Sequence, residues 1–464
     1  MPMTTTTSPV VTRFAPSPTG LLHLGNVRTA LLNYLFAKQQ GGTFLLRFED
    51  TDQNRSQQDF ITAIEEDLRW LGLQWDGEAR FQTAHADDHR TALNRLADAG
   101  LAYPCFCSEH QLNLDRKLAN ARGLPPRYNG RCRALSAHER AERMAKEDHV
   151  WRLAIHQNDD SVVKVHDLLR QQVDFHCRDL DDPVVVRSDG SFTFLLPNAV
   201  DDALDGVTHA LRGDDHLTNS AYQVWLLEHL GYRPPVYLHH GLLLGSDGAK
   251  LSKRTGSHNV ADLRANGLLP EALVQAMGRL GHPNMPDDAL TITDLAQAFQ
   301  PTHISTGSVR WQDDSMWRQH TRLLHKLASA DFAALISQHV PNCDADRLQA
   351  FAALIQGNVE QAADAQAFAR LLDASVALDE EATAIANAAG ADFYKAAITA
   401  WEQHTGDWKA WTQAVREATG AKGRNLFMPL RVALSGCSHG PEMHAVIDFL
   451  GHDGVRQRMQ QMAQ

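Results

Sequence analysis

The stretch Val10–Phe14 is short, apolar and β-branched, and it stops on the breakers Pro16, Ser17, Pro18 and Gly20. Ala30, Leu31, Leu35 and Phe36 then recur at helical spacing before Gly41-Gly42, and a second apolar run, Phe44-Leu45-Leu46, ends in Arg47-Phe48-Glu49-Asp50-Thr51-Asp52. Two strands separated by a helix pair in parallel through a crossover, so this opening constrains the chain to a βαβ unit. Ser56 and Asp59 have the spacing of a helix-capping pair, and Phe60, Ile64, Leu68 and Leu71 continue the helical pattern. The prediction is βαβα and a doubly wound parallel sheet. Open sheets of this kind bind ligands outside the carboxyl ends of their strands, which is where the breakers after Phe14 and the charged cluster after Leu46 fall.

Further along, periodicity weakens between Cys105 and Asp182, where basic stretches lie around Arg122–Arg133 and Arg140–Lys146. This region reads as an insertion. Strand character returns at Val184-Val185-Val186, at Phe192-Thr193-Phe194-Leu195-Leu196 and at Val236–Leu244. After Arg318 only helical sets remain: Leu348, Phe351 and Ile355; Tyr394, Ile398 and Trp401; Trp408, Trp411 and Val415. At 464 residues the chain has room for about three domains. The expected boundaries are 1–104 and 184–245 for the two halves of the sheet, 105–183 for the insertion, 246–320 for a connector and 321–464 for a helical unit. The aromatic sets in the helical unit are at core spacing.

Two loops carry candidate chemistry. Pro16 to Asn26 joins the first strand to its helix; a helix N-terminus attracts phosphate, His23 can donate to phosphate oxygens, and Gly25 lets a base or ribose approach. Read alone, the string His23-Leu24-Gly25-Asn26 equally describes a turn with a capping histidine. Lys250-Leu251-Ser252-Lys253-Arg254, between Ser246-Asp247-Gly248 and Thr255-Gly256, is a cationic loop suited to a transferring phosphoryl group. Alone, it equally describes a solvated basic loop.

Together, a His-x-Gly-x loop after the first strand and a Lys-x-Ser-Lys loop after the last resemble the paired motifs of class I aminoacyl-tRNA synthetases. Arg13 to Gly20, Arg47 to Asp52, Val200-Asp201-Asp202, Leu211-Arg212-Gly213-Asp214-Asp215-His216, the Lys250 loop and Leu426 to Gly436 stand in the order found in bacterial glutamyl-tRNA synthetases. The resemblance spans nearly the whole chain. It implies an α/β fold with a Rossmann-type doubly wound parallel sheet, an inserted α/β subdomain binding the acceptor stem, and an all-α C-terminal anticodon-binding region. It also implies ATP with Mg²⁺, L-glutamate and tRNA as ligands, with glutamate activated as its adenylate and passed to the terminal adenosine 2′-hydroxyl.

Carried over residue by residue, the resemblance places Arg13 and Arg212 on the glutamate side-chain carboxylate, Ser17 beside it and Glu49 on the ammonium. Arginine suits that task because its planar fork meets a carboxylate bidentately. Thr19, His23, Gly25, Asn26, Asp215, Lys250 and Lys253 fall to ATP, with His23, Lys250 and Lys253 catalytic. Phe194 stands where the family commonly has Tyr, so a hydroxyl that would orient glutamate is missing. Thr306 to Gln319 departs from the usual Phe-Asp-x-x-Lys-Leu pattern at the junction with the anticodon helices.

Some family members hold zinc near the insertion's start through two cysteines, a later cysteine and a histidine. Here Cys105, Cys107 and Cys132 are present, but Ala134 replaces the histidine. Tyr128 is the candidate fourth ligand, as looks to be the case in a shorter paralogue that modifies a tRNA nucleoside; buried free thiols are the other reading. Cys177, Cys343 and Cys437 have no partner at ligand spacing, and His85, His89, His239 and His240 read as packing or surface residues.

Lys and Arg number 44 against 56 Asp and Glu, a formal charge of −12. Taken as an average this argues against a polyanion partner, but tRNA meets local patches: Arg122–Arg133, Lys250–Arg254 and Lys422–Arg431. The expected protein is a cytoplasmic monomer with no membrane segment, charging tRNA-Glu and, in a non-discriminating enzyme, tRNA-Gln. The alternatives are the shorter glutamyl-Q type paralogue, which lacks an anticodon domain, and a silent synthetase-like tRNA-binding module.

Overall fold

A computed structural model describes residues 9–51, 58–155, 160–245, 247–249, 251, 259–287, 291–340 and 343–464. The chain divides into two compact units, Met1–Ala265 with Leu273–Asp313, and Asn266–Ala272 with Asp314–Gln464.

In the first unit, β1 (Val11–Phe14) and β2 (Thr43–Phe48) pair in parallel, with Arg13 opposite Leu45 and Phe14 opposite Leu46. Their crossover is α1 (Leu24–Gln39), as the breaker pattern requires. The second crossover helix, α2 (Gln58–Trp70), leads to β3 (Arg80–Phe81), parallel to β2. The proposed cap Ser56 lies outside the described residues. After α3 (Ala86–Asp98), β4 (Ala102–Cys105), β5 (Val150–Leu153) and β8 (Val184–Val186) make a separate antiparallel sheet. Two surface helices, α4 (Glu109–Ala121) and α5 (Ala137–Met144), start on capping boxes at Ser108/Gln111 and Ser136/Glu139.

The remaining strands of that segment are a hairpin, β6 (Val162–Asp167) and β7 (Gln171–His176). The hairpin lies on the edge of the core sheet: β6 pairs in parallel with β10 (Val236–His240) at Asp167 and Tyr237, and β10 pairs in parallel with β9 (His209–Gly213). Val11 N donates to Thr208 Oγ1 at 2.8 Å and Thr208 N to Val11 O at 3.0 Å, which sets the start of β9 beside β1. The core between this sheet and its helices includes the fully buried Ile155, Val165, Val185, Leu196 and Leu226. Each such aliphatic side chain stabilises the fold by about 1.5–3 kcal/mol.

The strand expected over Phe192–Leu196 is a helix start. Thr193 N still donates to Val185 O and Phe192 bridges Val186, but α6 (Leu195–Leu204) begins immediately afterwards. Pro197 sits in its first turn, where a missing N–H costs nothing. Beyond α7 (Leu217–His229) and β10, the short strands β11 (Leu243–Leu244) and β12 (Val309–Arg310) pair in parallel. Here two backbones touch: a Cβ on Gly241 would lie 1.9 Å from Gly307 O. The divergent junction segment thus supplies β12 and the start of the helix Asp313–Leu324, with Trp311 Nε1 donating to Asp313 at 2.7 Å.

The second unit is helical, with no strand among its described residues. Trp401 and Trp411 meet edge-on at 4.9 Å and are fully buried, and their indole N–H groups donate to His452 O and Ala397 O. Tyr394 is buried and Trp408 half-buried against the same core, so these aromatics pack rather than offer a stacking platform. Among the described residues no helix is long and apolar enough to cross a membrane.

Candidate active site

The carboxyl ends of β1, β2, β9 and β10, with the starts of α1 and α6, enclose a cavity of about 670 Å³. It brings together Arg13, Ser17, His23, Gly25, Asn26, Glu49, Phe194, Arg212 and Asp215 from the sequence reading. Thr19 is not in its wall. Lys250 and Lys253 lie outside the described residues; Leu251, between them, lines the cavity and donates its N–H to Leu243 O. Sequence reasoning missed Thr29, Asn198, His216 and His240, which also line it.

His23 is the N-cap of α1. Its Nδ1 accepts from Gly25 N at 3.1 Å and Asn26 N at 3.3 Å, while Asn26 Oδ1 accepts from His23 N. The histidine is a cap, as one description of this string has it, and it also lines the cavity. The amides of Gly25 and Asn26 are occupied by this cap, contrary to the expectation that they stand open to phosphate. Two donors on Nδ1 leave the proton of the neutral ring on Nε2, making that nitrogen a donor. Gly25 also leaves room for the ring: a Cβ there would approach His23 Cε1 to 3.0 Å.

Beside this loop lies a buried ionic network. Asp202 Oδ1 accepts from Arg13 Nε at 3.0 Å and from Arg47 Nη2 at 2.7 Å, and Arg47 Nη1 donates to Asp205 at 2.9 Å. Asp201 and Glu49 lie 3.8 and 3.9 Å from the Arg47 guanidinium. Burial disfavours the ionised form of Asp202, but Arg13 and Arg47 overcome it and hold the carboxyl below its usual range. For Glu49 burial prevails over Arg47 and over the hydrogen bond from Asn198, so its carboxyl is raised. Asp201 is held in turn by Gln82 at 2.8 Å and His89 at 2.6 Å, which accounts for His89. His85 is a surface partner of Asp88.

Arg212 differs from Arg47. It is 6 % exposed, its Nη2 donates to Ser220 and to Gln223 Oε1, and Nε and Nη1 have no hydrogen-bond partner among the described residues. Burial without a paired anion lowers its pKa to about 10, with the Tyr237 side chain beneath it compensating in part. A buried guanidinium with two unbonded nitrogens in a cavity wall suits an anion that arrives from outside. Phe194 packs at 5.4 Å on the His216 ring. Burial lowers His216 to about 4, with nearby Arg212 acting in the same direction, and burial beside Arg28 lowers His240 to about 3. Both rings are neutral at physiological pH.

At the root of the insertion, the Sγ atoms of Cys105, Cys107 and Cys132 lie within 4.8 Å of one another. Cys107 and Cys132 are 3.6 Å apart, and Tyr128 Oη lies 3.4 Å from Cys105 Sγ and 3.6 Å from Cys107 Sγ. A tetrahedron built on zinc–sulfur bonds of about 2.3 Å has edges of about 3.8 Å between sulfurs and about 3.5 Å to oxygen. These three separations are close to those edges. Cys177 is buried, and Cys343 and Cys437 are half-buried free thiols.

Residues 9–317 match the family model described as tRNA synthetases class I (E and Q), catalytic domain, and residues 329–463 match an anticodon binding domain. The chain belongs to the class I aminoacyl-tRNA synthetases of that glutamate and glutamine group. It is 40% identical to glutamate–tRNA ligase 1 of Halorhodospira halophila, over 98% of this chain and 97% of the relative. It is 41% identical to glutamate–tRNA ligase 2 of Alkalilimnicola ehrlichii, over 97% of each chain. A crystal structure of a glutamate tRNA ligase from Elizabethkingia meningosepticum, in complex with its amino acid, superposes with a TM-score of 0.86 at 25% identity, covering 98% of this chain and 99% of that one.

Proposed function

We propose that this protein is a glutamate–tRNA ligase. It joins L-glutamate to ATP, taken as its Mg²⁺ complex, and transfers the glutamyl group to the terminal adenosine 2′-hydroxyl of tRNA-Glu. The observation that carries the reading is Arg212, a buried cation with two unpartnered nitrogens in a cavity that also holds Arg13 and Glu49. Arg212 and Arg13 bind the substrate's side-chain carboxylate, Ser17 sits beside it, and Glu49, oriented by Asn198, takes the ammonium. The α-carboxylate then attacks the α-phosphorus as an anion, so no general base is needed, and pyrophosphate leaves. Positioning and charge stabilisation account for the acceleration. His23 donates from Nε2 to a phosphate oxygen, Lys253 and Lys250 neutralise charge on the leaving pyrophosphate, and Thr19, Asn26 and Asp215 hold the nucleotide. In the second step the 2′-hydroxyl attacks the acyl carbonyl and AMP departs.

Cys105, Cys107, Cys132 and Tyr128 would hold a zinc ion that ties β4 to the 128–132 loop, a structural role. The enzyme is a cytoplasmic monomer, and tRNA-Gln is a second acceptor if anticodon reading is relaxed. The match of residues 329–463 to an anticodon domain weighs against the shorter paralogue that glutamylates a modified base. Pyrophosphate exchange with and without tRNA tests the reading. Exchange should require glutamate and rise strongly with tRNA; dependence on another amino acid, or equal rates without tRNA, overturns it. Charging of purified tRNA-Glu and tRNA-Gln side by side then decides acceptor choice.

A further inference from the structure

Arg212 carries the carboxylate-binding task, yet the groups that aim it do not touch the cavity. Asp167, at the end of β6, uses both oxygens. Oδ1 accepts from Leu169 N at 2.8 Å and Arg170 N at 2.9 Å in the β6–β7 turn. Oδ2 accepts from His239 N at 3.0 Å and from His239 Nδ1 at 2.6 Å. The other imidazole nitrogen lies 2.7 Å from Ser220 Oγ, and Ser220 Oγ meets Arg212 Nη2. Asp167, His239 and Ser220 are all buried.

The proton arrangement has one direction. An ionised Asp167 receives the Nδ1 proton, which fixes the tautomer and leaves Nε2 as an acceptor. Ser220 has a single proton and two acceptors in reach, His216 O at 3.2 Å and His239 Nε2 at 2.7 Å; the shorter contact takes it, and with either acceptor its oxygen is left to accept from Arg212. With the opposite tautomer, Nε2–H would compete with the guanidinium for the serine oxygen. The second Nη2 proton goes to Gln223 Oε1 at 2.6 Å, and Gln223 continues through Asn198 to Glu49.

We propose that Asp167, His239 and Ser220 are positioning residues for substrate recognition: their hydrogen-bond relay holds Arg212 by Nη2 in the cavity wall and leaves Nε and Nη1 unbonded for the glutamate carboxylate. Because Asp167 also closes the β6–β7 turn, the aim of Arg212 is referenced to that hairpin. The inference rests on the glutamate reading of the cavity and goes beyond it by naming what sets the guanidinium's orientation.

The test is steady-state pyrophosphate exchange in the presence of tRNA, with thermal unfolding of each variant. Ser220→Ala removes the acceptor and should raise KM for glutamate about tenfold, one hydrogen bond to a charged group, with kcat and KM for ATP within about twofold. Ser220→Thr restores the hydroxyl and should return KM for glutamate towards the parent value. Asp167→Asn keeps the side-chain size, turns an NH₂ towards His239 so that the imidazole polarity reverses and the acceptor for His239 N is lost, and should reproduce the KM rise; it serves as the test should Ser220→Ala fail to fold. Unchanged KM for glutamate in folded Ser220→Ala or Asp167→Asn overturns the relay. So does a parallel rise of both KM values that tracks lost thermal stability. A parent enzyme whose exchange ignores glutamate would instead refute the underlying reading of the site.

Discussion

Arg47 and Arg212 are both buried arginines, and replacing each by methionine should have opposite consequences. Arg47 has two carboxylates in hydrogen-bond contact and two more within 4 Å, which raise its pKa against the effect of burial. Removing it strands that negative charge, and breaking a buried ionic cluster costs about 3–5 kcal/mol. Arg212 rests on a serine and a glutamine, and its fall to about 10 corresponds to about 3 kcal/mol of uncompensated burial. Arg212→Met abolishes that cost and loses two hydrogen bonds to a charged group, each about 1.5 kcal/mol. The opposing quantities nearly cancel, so Arg212→Met should change stability by less than about 1 kcal/mol. Urea unfolding followed by limited proteolysis within the first unit reads the unit that contains both residues. Glutamate at a hundredfold excess over its Kd should add about 2.7 kcal/mol to the parent and nothing to Arg212→Met. If Arg212→Met is as damaging to stability as Arg47→Met, the guanidinium is not the uncompensated charge described above.

Asp67 has no hydrogen-bond partner on either oxygen among the described residues, and burial pushes its carboxyl to about 6, with Arg264 at 3.8 Å offsetting only part. The folded state therefore holds this proton more tightly than the unfolded chain, so stability falls as pH rises from about 4 to about 6 and stays lower above. Asp67→Asn should gain up to about 3 kcal/mol in urea unfolding at pH 8 and almost nothing at pH 4; an equal gain at both would exclude a titration origin. Phe194→Tyr returns a hydroxyl to the cavity and should lower KM for glutamate by up to about fivefold, leaving KM for ATP unchanged. Gly25→Ala drives a methyl against the His23 ring and should reduce kcat/KM for ATP by about tenfold in exchange assays, with normal thermal unfolding. Elemental analysis of the purified protein should find one zinc per chain, lost together with part of the thermal stability in Cys107→Ser; metal-free protein of equal stability would favour the free-thiol reading.

The first crossover was legible because strand, breaker and helical spacing all agree between Val10 and Leu46. The charged ends of β1, β2 and β9 were legible for the same reason: polar residues at the exits of apolar strands have few structural uses. The start of α6 was misread because Phe192, Phe194 and Leu196 alternate like a strand, although Pro197 immediately after them suits a helix's first turn. That error hid Asn198, three and four residues before Asp201 and Asp202 and therefore on their helix face. His239 and His89 looked like packing histidines because their carboxylates, Asp167 and Asp201, are 72 and 112 residues away. Local spacing has no access to partners that only the assembled sheet brings within reach.

The contact between Gly241 and Gly307 is one touch seen from two sides, and the sides are unequal. A methyl on residue 241 would land inside the opposite carbonyl, whereas one on residue 307 meets nothing closer than Ser305 Oγ at 3.7 Å. A saturation scan should therefore return a closed column at 241 and an open one at 307. Tolerance to change belongs to the direction a Cα–Cβ bond would point, and two residues in mutual contact need not share it.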